Sequence, residues 1–150
     1  MPALPPWRAA MPFLLAGLLL TQPAPVRARE VLPGPVPAEV VEVIDGDTLK
    51  VRAHIWLGQA VETSVRLAGI NAPELAGKCD EERLLAARAR DYLARLLADR
   101  AVSLREVAYD KYGGRVVARV DDRTGRDLGA ALVAAGLARP YDGGKRGKWC

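Results

Sequence analysis

The stretch VIDGDTLKV, Val43 to Val51, sets an Asp-Gly pair between two apolar runs. Asp-Gly in that setting is a strong hairpin signal, since it supports the tight turn that joins two antiparallel strands. A second aspartate, Asp47, follows the glycine, so the same stretch also reads as half of a metal site. Its flanks settle the local fold. AEVVEVI begins at Ala38, TLKVRAHIW follows the turn, and VETSVRL ends at Leu67, with Leu57-Gly58-Gln59 as a second break. These short, β-branched, alternating runs predict a three-stranded meander.

Beyond the meander, DEERLLAARARDYLARLLA, Asp80 to Ala98, is the one long helical signal. Leu85, Ala89, Tyr92, Leu93 and Leu96 fall along one face, acidic residues fill the first turn, and Asp80 is the expected cap. Arg83, Arg88, Arg90 and Arg95 then form its solvated side, with Asp91 and Arg95 at a favourable four-residue spacing. Two more strands are predicted, Val102 to Val107 and Arg115 to Val120, joined by a turn containing Asp110, Gly113 and Gly114. A shorter helix over Asp127 to Ala135 stops at Gly136. Five short strands with a long helix between the third and fourth, and a short helix after the fifth, predict an α+β chain: a five-stranded Greek-key β-barrel of the OB fold.

The chain has 150 residues, half of them apolar, which suits one domain with a modest core. Its start reads differently. Arg8 precedes an uncharged run from Ala9 to Gln22, shorter than the roughly 20 residues a bilayer span needs. The run matches the apolar region of a secretory signal, and Val26-Arg27-Ala28 offers small residues for cleavage. The expected organisation is a signal peptide over 1–28, a Pro-rich extended lead-in over 29–37 and the barrel domain over 38–150. The alternative is an uncleaved membrane anchor. Cleavage would leave a monomer without stable membrane association, secreted or periplasmic.

The formal net charge is +4, with 22 basic and 18 acidic residues. Loss of Arg8 and Arg27 would leave 20 against 18, a charge of +2. Composition alone therefore does not point to nucleic acid, and a phosphate-binding surface would have to come from local clustering of Arg and Lys. Cys79 and Cys150 are the two cysteines, and His54 the single histidine, too few for a closed zinc site. In an exported chain one disulfide between them is the expected use, whereas Cys79 as a nucleophile lacks a base partner. His54 reads as a strand or loop residue. The tail YDGGKRGKWC, with Lys145, Arg146 and Lys148, reads either as a flexible basic tail or as a nonspecific contact to nucleic acid.

Three further stretches stand beside IDGDT: VRLAGINAPE from Val65 to Glu74, DKYGGR from Asp110 to Arg115, and ALVAAGLA from Ala131 to Ala138. In this order and at these separations they resemble the staphylococcal-nuclease-like, or thermonuclease, family, from about Val40 to Tyr141. The resemblance implies a calcium ion (Ca2+) held by Asp47, Asn71 and the carbonyl of Ala72, with Asp45 adding negative field. Asn71 departs from the pattern, since the family usually has Asp there. A carboxamide oxygen still suits calcium, at the loss of one unit of ligand charge.

The resemblance further implies Arg66 and Arg115 as phosphate-clamping guanidiniums and Glu74 as the general base. Lys111, Tyr112 and Tyr141 would lie beside the substrate. DKYGGR carries one glycine more than the usual spacing, and alignment backward from Ala118 selects Arg115. The implied activity is calcium-dependent hydrolysis of phosphodiester bonds in DNA and RNA, single-stranded or denatured, with little sequence preference and with products bearing a 3'-phosphate and a free 5'-hydroxyl. The alternative is a catalytically weak or inactive OB-fold module that binds single-stranded nucleic acid or a partner protein, a reading that Asn71 favours.

Overall fold

The computed structural model describes residues 2–3 and 29–150. Apart from Pro2 and Ala3, the expected signal peptide over 1–28 lies outside the described residues. Among those that are described, no helix is long and apolar enough to cross a membrane. In chain order the elements are β1 (Val31–Leu32), β2 (Val36–Asp45), β3 (Thr48–Trp56), β4 (Gln59–Leu67), β5 (Ile70–Asn71), α1 (Asp80–Leu96), β6 (Ala101–Tyr109), β7 (Arg115–Asp122), α2 (Leu128–Ala134) and β8 (Arg139–Pro140).

The expected meander is present as β2, β3 and β4, paired antiparallel in sequence. β7 then lies parallel to β4, with Ser64 opposite Arg115, and β6 pairs antiparallel with both β7 and β2. The ring β2-β3-β4-β7-β6 is thereby closed, which is the α+β OB-fold barrel that the pattern predicts. A parallel pair cannot be joined by a hairpin, and here the crossover runs through α1 and β6. Register shifts at Val40/Glu42 and Val43/Asp45 bend β2 so that it serves β3 at one end and β6 at the other.

Alternation decides what fills the barrel. Leu49 and Val51 of β3, Val65 and Leu67 of β4, Leu104 of β6 and Val120 of β7 are almost wholly buried. Ala86, Ala89 and Leu93 form the buried face of α1, and Leu128 and Leu132 that of α2. Each such Leu contributes roughly 1.5–3 kcal/mol of burial.

Several boundaries differ from expectation, each for a local reason. The N-cap of α1 is Cys79 rather than Asp80, without a side-chain cap bond, and the helix ends at Leu96, two residues before Ala98. Asp91 pairs with its neighbour Arg90, while Arg95 lies over the Tyr92 ring instead of meeting Asp91. The second helix runs from Leu128 to Ala134, capped by the Asp127 carboxylate, which accepts the Ala130 N–H at 2.8 Å. The lead-in is extended, yet two parts of it join the sheet: Val31 and Leu32 pair with β6, and Val36 and Pro37 begin β2. A short ladder of β5 with β8 also forms, pairing Asn71 with Arg139. His54 sits exposed on β3 opposite Ala60.

Candidate active site

Gly46 and Asp47 make the turn between β2 and β3, with Asp45 opposite Thr48. Neither turn residue has a positive φ, so this is not the primed turn that Asp-Gly usually makes. The glycine is needed for space instead. A Cβ at Gly46 would lie 2.8 Å from the Ala89 Cβ of α1 and 3.0 Å from the Ala72 Cβ. Contact between turn, helix and the 71–72 segment is what brings Asp47 to its partners. Its Oδ2 accepts the Ala72 N–H at 3.2 Å and Arg66 Nη2 at 3.2 Å, and Oδ1 accepts the Thr48 hydroxyl at 3.0 Å.

Arg66 stands near the end of β4, flanked by Thr48 of β3 and Val117 of β7. Its side chain is only 8% exposed, so its charge is answered locally: by Asp47, by the Ile70 carbonyl at 3.1 Å and by the Leu67 carbonyl at 3.4 Å. A guanidinium so placed is rigid, and removal of its carboxylate would leave a buried, uncompensated charge.

Arg115 opens β7, after a turn in which Gly113 and Gly114 both adopt left-handed backbone, φ 68° and 67°. The extra glycine of DKYGGR is absorbed there, where any other residue would be strained. The Asp110 N–H donates to the Arg115 carbonyl at 3.1 Å, and the Asp110 carboxylate accepts from Arg115 Nε. Burial alone would raise the Asp110 pKa, but the hydrogen bond and charge of Arg115 outweigh it and hold the carboxyl below its usual range. With Nε engaged, both terminal nitrogens of Arg115 have no partner among the described residues. Lys111 and Arg115 lie 5.0 and 5.6 Å from the Tyr112 ring centre, and Arg66 lies 5.7 Å from that of Tyr141.

These side chains meet. Asp45, Asp47, Arg66, Glu74, Tyr112 and Arg115 line one open cleft of about 350 Å³, together with Thr48 and Arg146. A second cleft of about 300 Å³ adjoins it and adds Lys111 and Tyr141. Asn71 and Ala72 line a third with Glu74, and not the one lined by Asp47. Glu74 and Arg146 are common to the first and third clefts, and their ion pair, Arg146 Nη1 to Glu74 Oε1 at 2.8 Å, divides them.

Asp45, Asp47 and Glu74 line one cleft with oxygen donors of the kind a hard divalent cation takes, although among the described residues these three carboxylates do not gather closely enough to form a ready ligand set. The Asp45 pKa is raised, first by burial and then by the Asp47 and Glu74 charges, against hydrogen bonds from Gly46 and Leu75 that lower it. A cation with oxygen preference would relieve that excess, and calcium accepts such irregular oxygen sets.

Sequence reasoning gave no site role to Thr48 or Asp110, and read Arg146 only as part of a flexible basic tail or as a nonspecific contact to nucleic acid. Thr48 and Asp110 orient Asp47 and Arg115, yet each reads as an ordinary turn residue. Arg146 reaches Glu74 across 72 residues of chain, which no local pattern encodes. The cysteines are joined, Cys79 to Cys150, and tie the tail to the cap of α1.

The family described as staphylococcal nuclease homologue matches this chain over residues 64–148, more than half its length. The chain belongs to that family. Arg66, Asn71, Ala72, Glu74, Lys111, Tyr112, Arg115 and Tyr141 lie inside the matched span, whereas the Asp45-Gly46-Asp47 turn precedes it. Among related proteins, the chain is 34% identical over 90 residues to a probable endonuclease LCL3 of Leptosphaeria maculans, covering 58% of this chain and 30% of that one. A protein of the same name from Phaeosphaeria nodorum is 38% identical over 81 residues, covering 52% and 27%, and one from Pyrenophora tritici-repentis is 37% identical over 81 residues, covering 52% and 30%. The staphylococcal nuclease homologue described here thus spans under a third of the length of these relatives.

Proposed function

We propose that this protein is an exported, calcium-dependent nuclease that hydrolyses phosphodiester bonds of DNA and RNA with little sequence preference. The observation that carries the reading is the convergence of Asp47, Arg66, Glu74 and Arg115 on one cleft from three separate stretches of the chain. Family membership and the printed names of the relatives, probable endonucleases, support the same reaction class.

Cleavage of a phosphodiester builds negative charge on the phosphoryl oxygens and needs a water aligned with the leaving group. Arg66, fixed by Asp47 and two carbonyls, holds one side of the phosphate. Arg115, steadied at Nε by Asp110, presents its terminal nitrogens as a fork to the other. Glu74 engages Arg146 through Oε1, and its Oε2, without a partner among the described residues, accepts the proton of the attacking water. Tyr112 and Tyr141 offer faces for sugar or base, with Lys111 beside them for a further phosphate. Asp47 would hold calcium, which polarises a phosphoryl oxygen when bound; Asn71 and the Ala72 carbonyl, expected to join it, line a neighbouring cleft and would have to turn toward Asp47 to do so. These groups address phosphate rather than base edges, which accounts for sequence indifference. Export is supported by the apolar N-terminal run and by a disulfide of the kind that persists in oxidising compartments.

The test is purified protein with denatured DNA or RNA, in calcium and then in excess chelator. Cutting in calcium, lost with chelator and leaving 3'-phosphate ends, is expected. Binding that persists without any cutting would replace this reading with that of a nucleic-acid-binding module, which Asn71, on a different cleft from Asp47, favours.

A further inference from the structure

The basic tail has a defined path. After β8, the Tyr141 N–H donates to the Gly69 carbonyl at 2.9 Å and the Tyr141 hydroxyl to the Gly144 carbonyl at 2.8 Å. Farther on, the Arg139 guanidinium stacks 3.9 Å from the Trp149 ring centre and donates to the Lys148 carbonyl at 3.0 Å. Cys150 then closes the tail onto Cys79. Between these anchors Arg146 turns back over the site, donating to Glu74 and lying 5.9 Å from the Tyr141 ring centre.

Four residues line both the cleft of Asp47 and Glu74 and the adjoining cleft of Lys111 and Tyr141: Arg66, Tyr112, Arg115 and Arg146. Arg146 is therefore placed like the two guanidiniums already assigned to phosphate. It differs in how it is held, because its pair with Glu74 is exposed, 37% and 57% by side chain, and exposed pairs are weakly held. A phosphate arriving in the cleft competes readily for that guanidinium.

We propose that Arg146 is a third phosphate-binding residue, carried into the cleft by the C-terminal tail and kept there by the Cys79–Cys150 bond. It takes the phosphate neighbouring the one that is cut. The proposal rests on the nuclease reading above.

The experiment compares wild type, Arg146→Ala, Arg146→Lys, Arg115→Ala and the double variant Cys79→Ser/Cys150→Ser. Cutting of denatured DNA in calcium is measured first. Affinity for a short single-stranded oligodeoxynucleotide in chelator is then measured across a range of salt, with folding checked by circular dichroism. For Arg146→Ala, KM should rise about tenfold with kcat little changed, the size expected of one charge-assisted contact. The slope of log affinity against log salt should fall by about 0.7, one phosphate contact on a single strand. Arg146→Lys should recover most of that slope, and the double cysteine variant, folded, should reproduce Arg146→Ala. An unchanged KM and slope in Arg146→Ala, with Arg115→Ala inactive, would overturn this inference and leave the nuclease reading intact. A fall in kcat with an unchanged slope would also overturn it, placing Arg146 on Glu74 alone. A folded cysteine variant with wild-type KM and slope would overturn the tethering by the disulfide. Wild type that neither binds nor cuts would remove the nuclease reading itself.

Discussion

At position 71 stands a carboxamide, where the resemblance to the nuclease family leads to the expectation of a carboxylate, and the difference is one unit of ligand charge. Calcium affinity follows ligand charge closely. Asn71→Asp is therefore expected to lower the calcium concentration needed for half-maximal cutting, with equal or higher maximal activity; a calcium titration that does not move would remove Asn71 from the ligand set. Arg115 allows the cleaner test of the phosphate clamp. Arg66 is buried and paired, so its loss would unsettle the fold, whereas Arg115 is held by Asp110 at the mouth of the cleft. Arg115→Ala should reduce kcat about 100-fold or more, by comparison with other donors to developing oxyanions, while a loss of stability from leaving the Asp110 carboxylate unpaired is read separately in the unfolding transition. At this scale much of the site was legible, because Asp47, Arg66, Glu74 and Arg115 each sit in a short motif. What the motifs did not carry was orientation: Asn71 is fixed by its pairing with Arg139, and no local pattern announces a two-residue strand.

Among the elements, the turn at Gly46 carries both fold and site. The Asp-Gly pair did predict a hairpin, but for a backbone reason that does not operate here. The actual constraint, a helix packed against the glycine, is nonlocal and so absent from the sequence pattern. Gly46→Ala should thus cost about 1–3 kcal/mol in urea denaturation, through overpacking against Ala89. Loss of activity should accompany it, since Asp47 moves with the turn. The turn between β7 and α2 predicts a pH response. Asp122 has its pKa lowered, most by the Thr124 hydroxyl, against burial and with help from the Arg126 and Thr124 amides. A depressed carboxyl contributes stability above its ordinary pKa of 3.8, and that contribution is lost as pH falls through the lower folded value. Asp122→Asn should be less stable than wild type at neutral pH, and the gap should narrow below about pH 3.8. A gap that stays constant in acid unfolding would contradict the assignment. The strands and the long helix were legible because their periods are local. The cap at Cys79 was not, because a charged residue beside it has the better capping propensity.

Across the whole molecule, the covalent link between Cys79 and Cys150 encloses a sequence separation of 71 residues. In the chain-entropy account such a loop stabilises by about 4 kcal/mol. Removing both cysteines should lower the urea midpoint accordingly without changing the native circular dichroism spectrum; an unchanged midpoint would show that the folded body gains nothing from the link. Two cysteines and an apolar N-terminal run made that link predictable. The route of the tail between them, over the cleft, was not, because it depends on contacts between residues far apart in sequence. The ring of strands has a consequence of its own. Its closing seam joins β4 to β7, and everything between must already exist for that seam to form. Until β7 is available, the first three strands form an open ribbon whose apolar face has no lid, and the barrel can shut only once the segment beyond Arg115 has joined them. Closure is therefore a late event in folding, and a chain stopped short of β7 would remain a substrate for chaperones rather than a smaller barrel.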